Sequence, residues 1–222
     1  MNVIVNADDL GMSPAVNDAI FKAFDDGLLR STSVLVHGPA FGDAVTRLRA
    51  RPELRAGVHL DTTEFHSSSD CFRSWTDQVR RARDAGIEPS HLDSHQHMHL
   101  RWGALVALAR VVKATGVRAI RGRSLDYGPS ARSQAWRVLV GRFAVMPEHY
   151  LSMEHWLAIG RPERPGVTEI MVHPGNPHNA RYAVEMVALA EYARGWCLQT
   201  FDELRPASVA RSHVEVRRNV HD

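Results

Sequence analysis

Four histidines fall within nine residues, at His91, His95, His97 and His99, in a chain of 222 residues that holds thirteen in all. Imidazole binds transition metals and titrates near neutral pH, so this density points to a metal centre or a proton-transfer site. An extended chain would put His95, His97 and His99 on one face; a helix would put His95 and His99 there. Asp93 could orient one imidazole through its second nitrogen. Elsewhere, the adjacent carboxylates Asp8 and Asp9 could divide two tasks, one ligating an ion while the other stays free as a base. Alternatively they complement the dipole of a following helix. His59, inside the apolar run Gly57-Val58-His59-Leu60, is a ligand if it has companions and a satisfied core histidine if it has none. His173, before Pro174-Gly175, is placed to donate a proton or merely ends a strand at a turn. One carboxylate with two imidazoles makes a mixed nitrogen–oxygen site with room for water, the pattern of hydrolytic zinc and related metals.

Other chemistries lack their signatures. There is no Gly-rich phosphate loop of Walker type, no dinucleotide fingerprint and no GxSxG elbow. Cys71 and Cys197 lie far apart and form no CxxC pair, so a metal site here is not a thiolate one. Metal-assisted hydrolysis is the reaction class the residues favour.

These residues must be brought together by the elements between them. Short apolar runs at Val3–Ala7, Ser33–His37, Ala56–Leu60, His91–Ser94, Val117–Ile120, Val167–Val172 and Cys197–Thr200 read as strands. Helical spacing fills Ala15–Asp26, the stretch up to about Arg51, Ser74–Ala85, Leu105–Ala114, Ala131–Phe143 and Arg181–Ala193. Asp8 to Pro14 reads as a loop, with Ser13 as N-cap and Pro14 at the first helical position. Residues 128–166 are the least readable. This alternation predicts an α/β fold with a parallel sheet in a single domain over residues 1–222, with 210–222 a loose tail. Asp8, Asp9, His59, His95 and His173 each end or follow a predicted strand, where active sites of parallel α/β folds gather.

The formal charge of +2 is too small to imply nucleic-acid binding, and the arginines are scattered rather than blocked. No run approaches the roughly 18 apolar residues of a membrane span. Met1 leads straight into Asn-Val-Ile-Val-Asn without a signal-like stretch, so the expected location is cytoplasmic.

Val5-Asn6-Ala7-Asp8-Asp9-Leu10-Gly11-Met12-Ser13, Ser31-Thr32-Ser33, Gly57-Val58-His59-Leu60, the run from His91 to His99 and His173-Pro174-Gly175 follow a known motif order. In this the chain resembles the YdjC-like carbohydrate deacetylases, which include chitooligosaccharide deacetylases and hopanoid-pathway members. The likeness spans about residues 2–175. It departs at Leu10, where relatives usually carry Phe, and in a compact stretch over Asp61–Pro89.

The resemblance implies a (β/α) barrel-like domain related to polysaccharide deacetylases. It implies Asp9, His59 and His95 as the ligands of one divalent metal, Asp8 as general base and His173 as general acid. The implied reaction removes an acetyl group from an N-acetylated sugar or glycoconjugate. Two imidazoles and a carboxylate suit zinc, cobalt or nickel better than magnesium, the alternative because some relatives are assigned it. A homodimer is also implied. Trp75, Trp102, Tyr127 or Trp156 could stack on sugar faces, or belong to the core. The rival readings are a metal-dependent hydrolase of another ester or amide bond, and a metal- or sugar-binding homologue without turnover.

Overall fold

Strands β1 (Asn2–Leu10), β2 (Ser31–Val34), β3 (Arg55–Leu60), β4 (Leu92–Ser94), β5 (His149–Ser152), β6 (Val167–Val172) and β7 (Cys197–Leu198) form one sheet whose pairings are all parallel. The computed structural model describes residues 1–61, 67–126, 128, 130–176 and 181–205. Tyr127 and the expected tail lie outside them. The order is β4-β3-β2-β1-β6-β5, a single α/β domain with a parallel half-barrel sheet. Because β6 lines one edge of β1 from Asn2 to Ala7, the other edge is shared: β7 takes Asn2 and Val3, and β2 takes over at Asn6. No helix among the described residues is long and apolar enough to cross a membrane.

The two faces of β1 differ, as alternation requires. Val3, Val5 and Ala7 join the main core with Val16, Ile20 and Phe21 of α1 (Pro14–Asp25). Ile4 faces the other way, in a small apolar cluster with Ala119 and Phe201. Asn6 and Asp8 follow Ile4 by parity, so this second face turns from apolar to polar toward the C-terminal end of the strand.

The strand also outlasts its prediction. It runs through Asp8 and Asp9 to Leu10, so the two carboxylates stand on sheet rather than in a loop. Here the register slips: Ala7 pairs with Thr32 but Leu10 with Val34, three residues against two. Asp9 takes a left-handed φ of +72° within this bulge. A bulge breaks strict alternation and re-aims side chains. Ser13 caps α1 by accepting from the Val16 amide, with Pro14 as the first helical residue, as the sequence predicts.

Other boundaries moved. α2 (Phe41–Arg49) matches its prediction, while α3 (Ser68–Asp84) begins six residues before Ser74 because Ser67 supplies an earlier cap. The expected strand Val117–Ile120 reduces to isolated bridges, Ile120 to Leu92 and Ala119 to Val145, since β4 is too short to support a full ladder. After α4 (Leu105–Thr115) and α5 (Ala131–Val140), β5 and α6 (Met153–Ala158) emerge from the stretch that could not be read. α7 is Arg181–Tyr192. His95–Leu100 is neither extended nor α-helical: it is a 3-10 stretch in which Gln96 and His97 take left-handed φ values of +51° and +54°.

Candidate active site

Sheet register assembles the site. His59 of β3 lies directly opposite Asp93 of β4, and its Nδ1 is 2.8 Å from Asp93 Oδ1. Ser33 of β2 stands between them, donating to Asp93 Oδ2 at 2.9 Å and sitting 3.1 Å from His59 Nδ1. With Nδ1 tethered, Nε2 of His59 is left to face Asp9. Asp9 Oδ1 lies 3.5 Å from His59 Nε2 and 3.5 Å from His95 Nδ1, longer than an ordinary N–H···O bond.

That oxygen is buried and has no hydrogen-bond partner among the described residues, while Oδ2 accepts from Asn176 at 3.3 Å. One atom each from Asp9, His59 and His95 lies within 4.8 Å of the others. A buried, unsatisfied carboxylate oxygen aimed between two imidazole nitrogens fits a divalent ion with a mixed nitrogen–oxygen shell. Asp8, His59 and Asp93 also cluster at this distance, but a guanidinium already occupies both of those carboxylates.

That guanidinium is Arg121, the group sequence reasoning missed. It is fully buried and grips Asp8 with two bonds of 2.7 Å. It also meets Asp93 at 3.0 Å and donates from Nε to Glu169 of β6 at 2.6 Å. Asp8 is therefore not the free carboxylate the sequence suggested; Asn6 donates to its Oδ1 as well, at 2.9 Å. Arg121 follows the strand-like run Val117–Ile120, so the strand-end rule that picked out His59 and His173 would have found it too.

Burial opposes charge throughout this cluster, and the neighbours override it. Burial raises the Asp8 carboxyl, but Arg121 outweighs it and holds the group below its ordinary range. Asp93 is likewise pulled well down against burial by His59 and Arg121. His59, lowered by burial, is raised by Asp93, Asp8 and Asp9 to about 9. In Glu169 burial wins, lifting it to about 7 although Arg121 pulls it down. His95 is raised, chiefly by its contact with Asp9.

The remaining histidines divide. His91 is buried against Phe201, with ring centres 3.8 Å apart, and burial lowers it to about 4. His99 is held by Ser94 at 2.6 Å and by the Arg121 carbonyl at 3.1 Å, and burial lowers it to about 3. Both belong to the framework. His97 turns away from the Asp9 group, its Nε2 3.0 Å from the Tyr150 hydroxyl. Of the dense run, only His95 joins the Asp9 group.

His173 follows β6 at the level of Asp8, since Val172 pairs with Ala7. Its amide donates to Glu185 of α7 at 2.9 Å, and its Nδ1 is 3.6 Å from the same carboxylate oxygen. Burial lowers the His173 imidazole, but the Glu185 hydrogen bond and nearby aspartates leave it raised. Glu185 had no signal in the sequence beyond lying on a helix. Among the aromatic candidates, Trp75 and Trp156 are core residues. Trp102 is half-buried in a cleft of about 920 Å³ with His97, Tyr150 and Met171.

Comparison with known proteins places the sequence and fold. The chain is 30% identical over 140 residues to a carbohydrate deacetylase of Halalkalibacterium halodurans, covering 50% of this chain and 59% of that protein. It is 29% identical over 205 residues to a chitooligosaccharide deacetylase of Klebsiella pneumoniae, covering 78% and 81%. The chain thus spans about three fifths of the first relative and four fifths of the second. In fold it is similar to an Enterococcus faecalis protein named as a candidate for cellobiose-phosphate cleavage, with a TM-score of 0.75, 21% identity and coverage of 90% and 97%. It is also similar to a Bacillus cereus polysaccharide deacetylase, with a TM-score of 0.51, 14% identity and coverage of 87% and 88%. The model of the YdjC-like protein family matches residues 2–205, and the chain belongs to that family.

Proposed function

We propose that this protein is a metal-dependent N-deacetylase of acetylated sugars, with Asp9, His59 and His95 as metal ligands. The reaction is hydrolysis of the acetamide, giving acetate and a free amine. The observation that carries this reading is the unsatisfied, buried Asp9 Oδ1 between two imidazole nitrogens, with an ionised Asp8 beside it. A divalent ion held there would polarise the carbonyl and acidify a water molecule. Two imidazoles and one carboxylate favour a zinc-like ion over magnesium.

Each protein group then has a defined task. Asp8 accepts the proton of the attacking water. Arg121 bonds each of its oxygens once, and an ionised carboxylate offers about four lone-pair sites, so acceptor capacity remains. Asp93 fixes the His59 ring so that Nε2 faces Asp9, where the ion would be held. His173, kept protonated to higher pH by Glu185, delivers a proton to the departing amine.

Acetate release from a panel of N-acetylated sugars tests the assignment. Chelation should abolish release, and zinc or a zinc-like ion should restore it. Asp8→Asn should cost on the order of 10²–10⁴-fold in kcat, the usual worth of a general base. Metal content should stay at one ion per chain in that variant. No acetate release from parent and Asp8→Asn alike, with one ion bound in each, would identify a binding protein without turnover, and an unchanged kcat in Asp8→Asn would place the base elsewhere.

A further inference from the structure

We propose that Glu169 is a positioning residue for the proposed reaction: its carboxylate holds the guanidinium of Arg121 by Nε, so that both terminal nitrogens stay on Asp8. This rests on the deacetylase reading, in which Asp8 is the base, and adds a residue that reading does not use.

Glu169 stands low on the sheet. It pairs with Ile4 of β1 on one side and with Tyr150 of β5 on the other. Paired residues of a parallel sheet share a face, so Glu169 lies on the face of Ile4, Asn6 and Asp8, at its apolar level. It comes four residues before His173 on one strand, roughly 13 Å at the rise of a strand, too far down to touch a substrate at the strand ends. The side chain is fully buried, and its Oε2 has no partner among the described residues. Oε1 accepts from Arg121 Nε at 2.6 Å, the single hydrogen bond of this carboxylate among the described residues. A buried carboxylate with so few bonds is costly. Charge balance does not call for it, because Arg121 already meets two carboxylates, Asp8 and Asp93.

What Glu169 supplies is direction. A guanidinium is a planar fork with its donors in fixed positions, so acceptors on all three nitrogens fix both its plane and its rotation. Asp8 Oδ1 has a second anchor in Asn6, whose own side-chain oxygen accepts from Ser31 at 2.7 Å. Asp8 Oδ2 has only Arg121 Nη1 among the described residues, and that nitrogen is also 3.0 Å from Asp93. Asp93 thus competes for the donor that aims Oδ2. The bond at Nε holds the fork against that pull, from a nitrogen that Asp93 does not engage. Without it, the guanidinium is free to turn toward Asp93, and Oδ2 loses its direction.

The test uses the metal-loaded full chain and an N-acetylated disaccharide. Glu169→Ala should lose about 10–100-fold in kcat, the cost of a misaimed catalytic group. KM and the content of one ion per chain should not change. Glu169→Gln should keep most of the parent's kcat, because its amide oxygen can accept the same N–H. Glu169→Asp, one methylene shorter, takes the place of the alanine variant if that one does not fold. In an Asp8→Asn background no base remains to be aimed, so the same replacement of Glu169 should cost nothing further. An equal loss in both backgrounds, or a Gln variant as slow as the Ala one, would overturn the proposal and leave Glu169 a residue that only holds the sheet together. A crystal structure of the metal-loaded variant reads the same point without turnover. At least one of the two Arg121–Asp8 bonds should be gone, and both kept at the parent distances would refute the idea. If the parent deacetylates no sugar and that bond is nonetheless lost, the deacetylase reading falls and the support of Asp8 by Glu169 through Arg121 stands.

Discussion

Asp9 and Asp8 are neighbours in sequence with opposite surroundings. Asp9 offers a buried oxygen with no partner among the described residues, whereas both oxygens of Asp8 are bound by Arg121. On the proposed reading, an ion would be drawn to the first, and the second would be held ionised for proton transfer. The same logic applies at His173, whose imidazole is raised through Glu185. A general acid must be protonated, so the alkaline limb of the pH–rate profile reports its pKa. Glu185→Gln should move that limb to lower pH while leaving metal content unchanged; an unmoved limb would assign the acid elsewhere. The histidines and paired aspartates were legible as candidates because they end or follow predicted strands, although each alone also had a structural reading. Arg121 and Glu169 stood out less: each is one among many charged residues, and although Arg121 also follows a strand-like run, only the fold shows that these two are buried together.

At the level of elements, the bulge at Asp8 and Asp9 and the left-handed pair Gln96–His97 aim side chains in ways that period-2 or period-3.6 patterns cannot express. That is why the histidine run read as one converging face and proved to have three destinations. β5 and α6 were illegible because each is short, at four and six residues, and lacks a full period of its own. β3 was readable, and it carries a steric requirement. A methyl group at Gly57 would overlap the buried ring of His91, which is itself stacked on Phe201. Gly57→Ala should therefore lower stability by about 1–3 kcal/mol, as overpacked cores do. Denaturant titration checks it, and a second replacement that shrinks His91 should recover part of the loss.

Across the whole molecule, buried imidazoles set the response to acid. Burial lowers His91 and His97 to about 4 and His99 to about 3, against about 6.5 in an unfolded chain. The unfolded state thus binds more protons in this interval, and their stabilisation, complete above about pH 6.5, is lost as pH falls toward 4. His59 and Glu169 act oppositely. Raised to about 9 and about 7, they stabilise fully below their unfolded values and lose this as pH rises through the folded ones. The metal-free protein should show a thermal midpoint that drops on both sides of a maximum; a flat profile between pH 4 and 6.5 would contradict the buried, neutral state of the three histidines. The parallel sheet itself was legible from alternation of runs, but its order was not, since β1 must wait for partners far along the chain. During synthesis β1 emerges first, and β2 can join it early. The flank that β6 covers stays open until residue 172 has left the ribosome, and the first two rungs beside β7 until residue 198. The nascent chain consequently carries a long, apolar, hydrogen-bond-hungry border through most of translation, the kind of surface that chaperones hold and aggregates recruit.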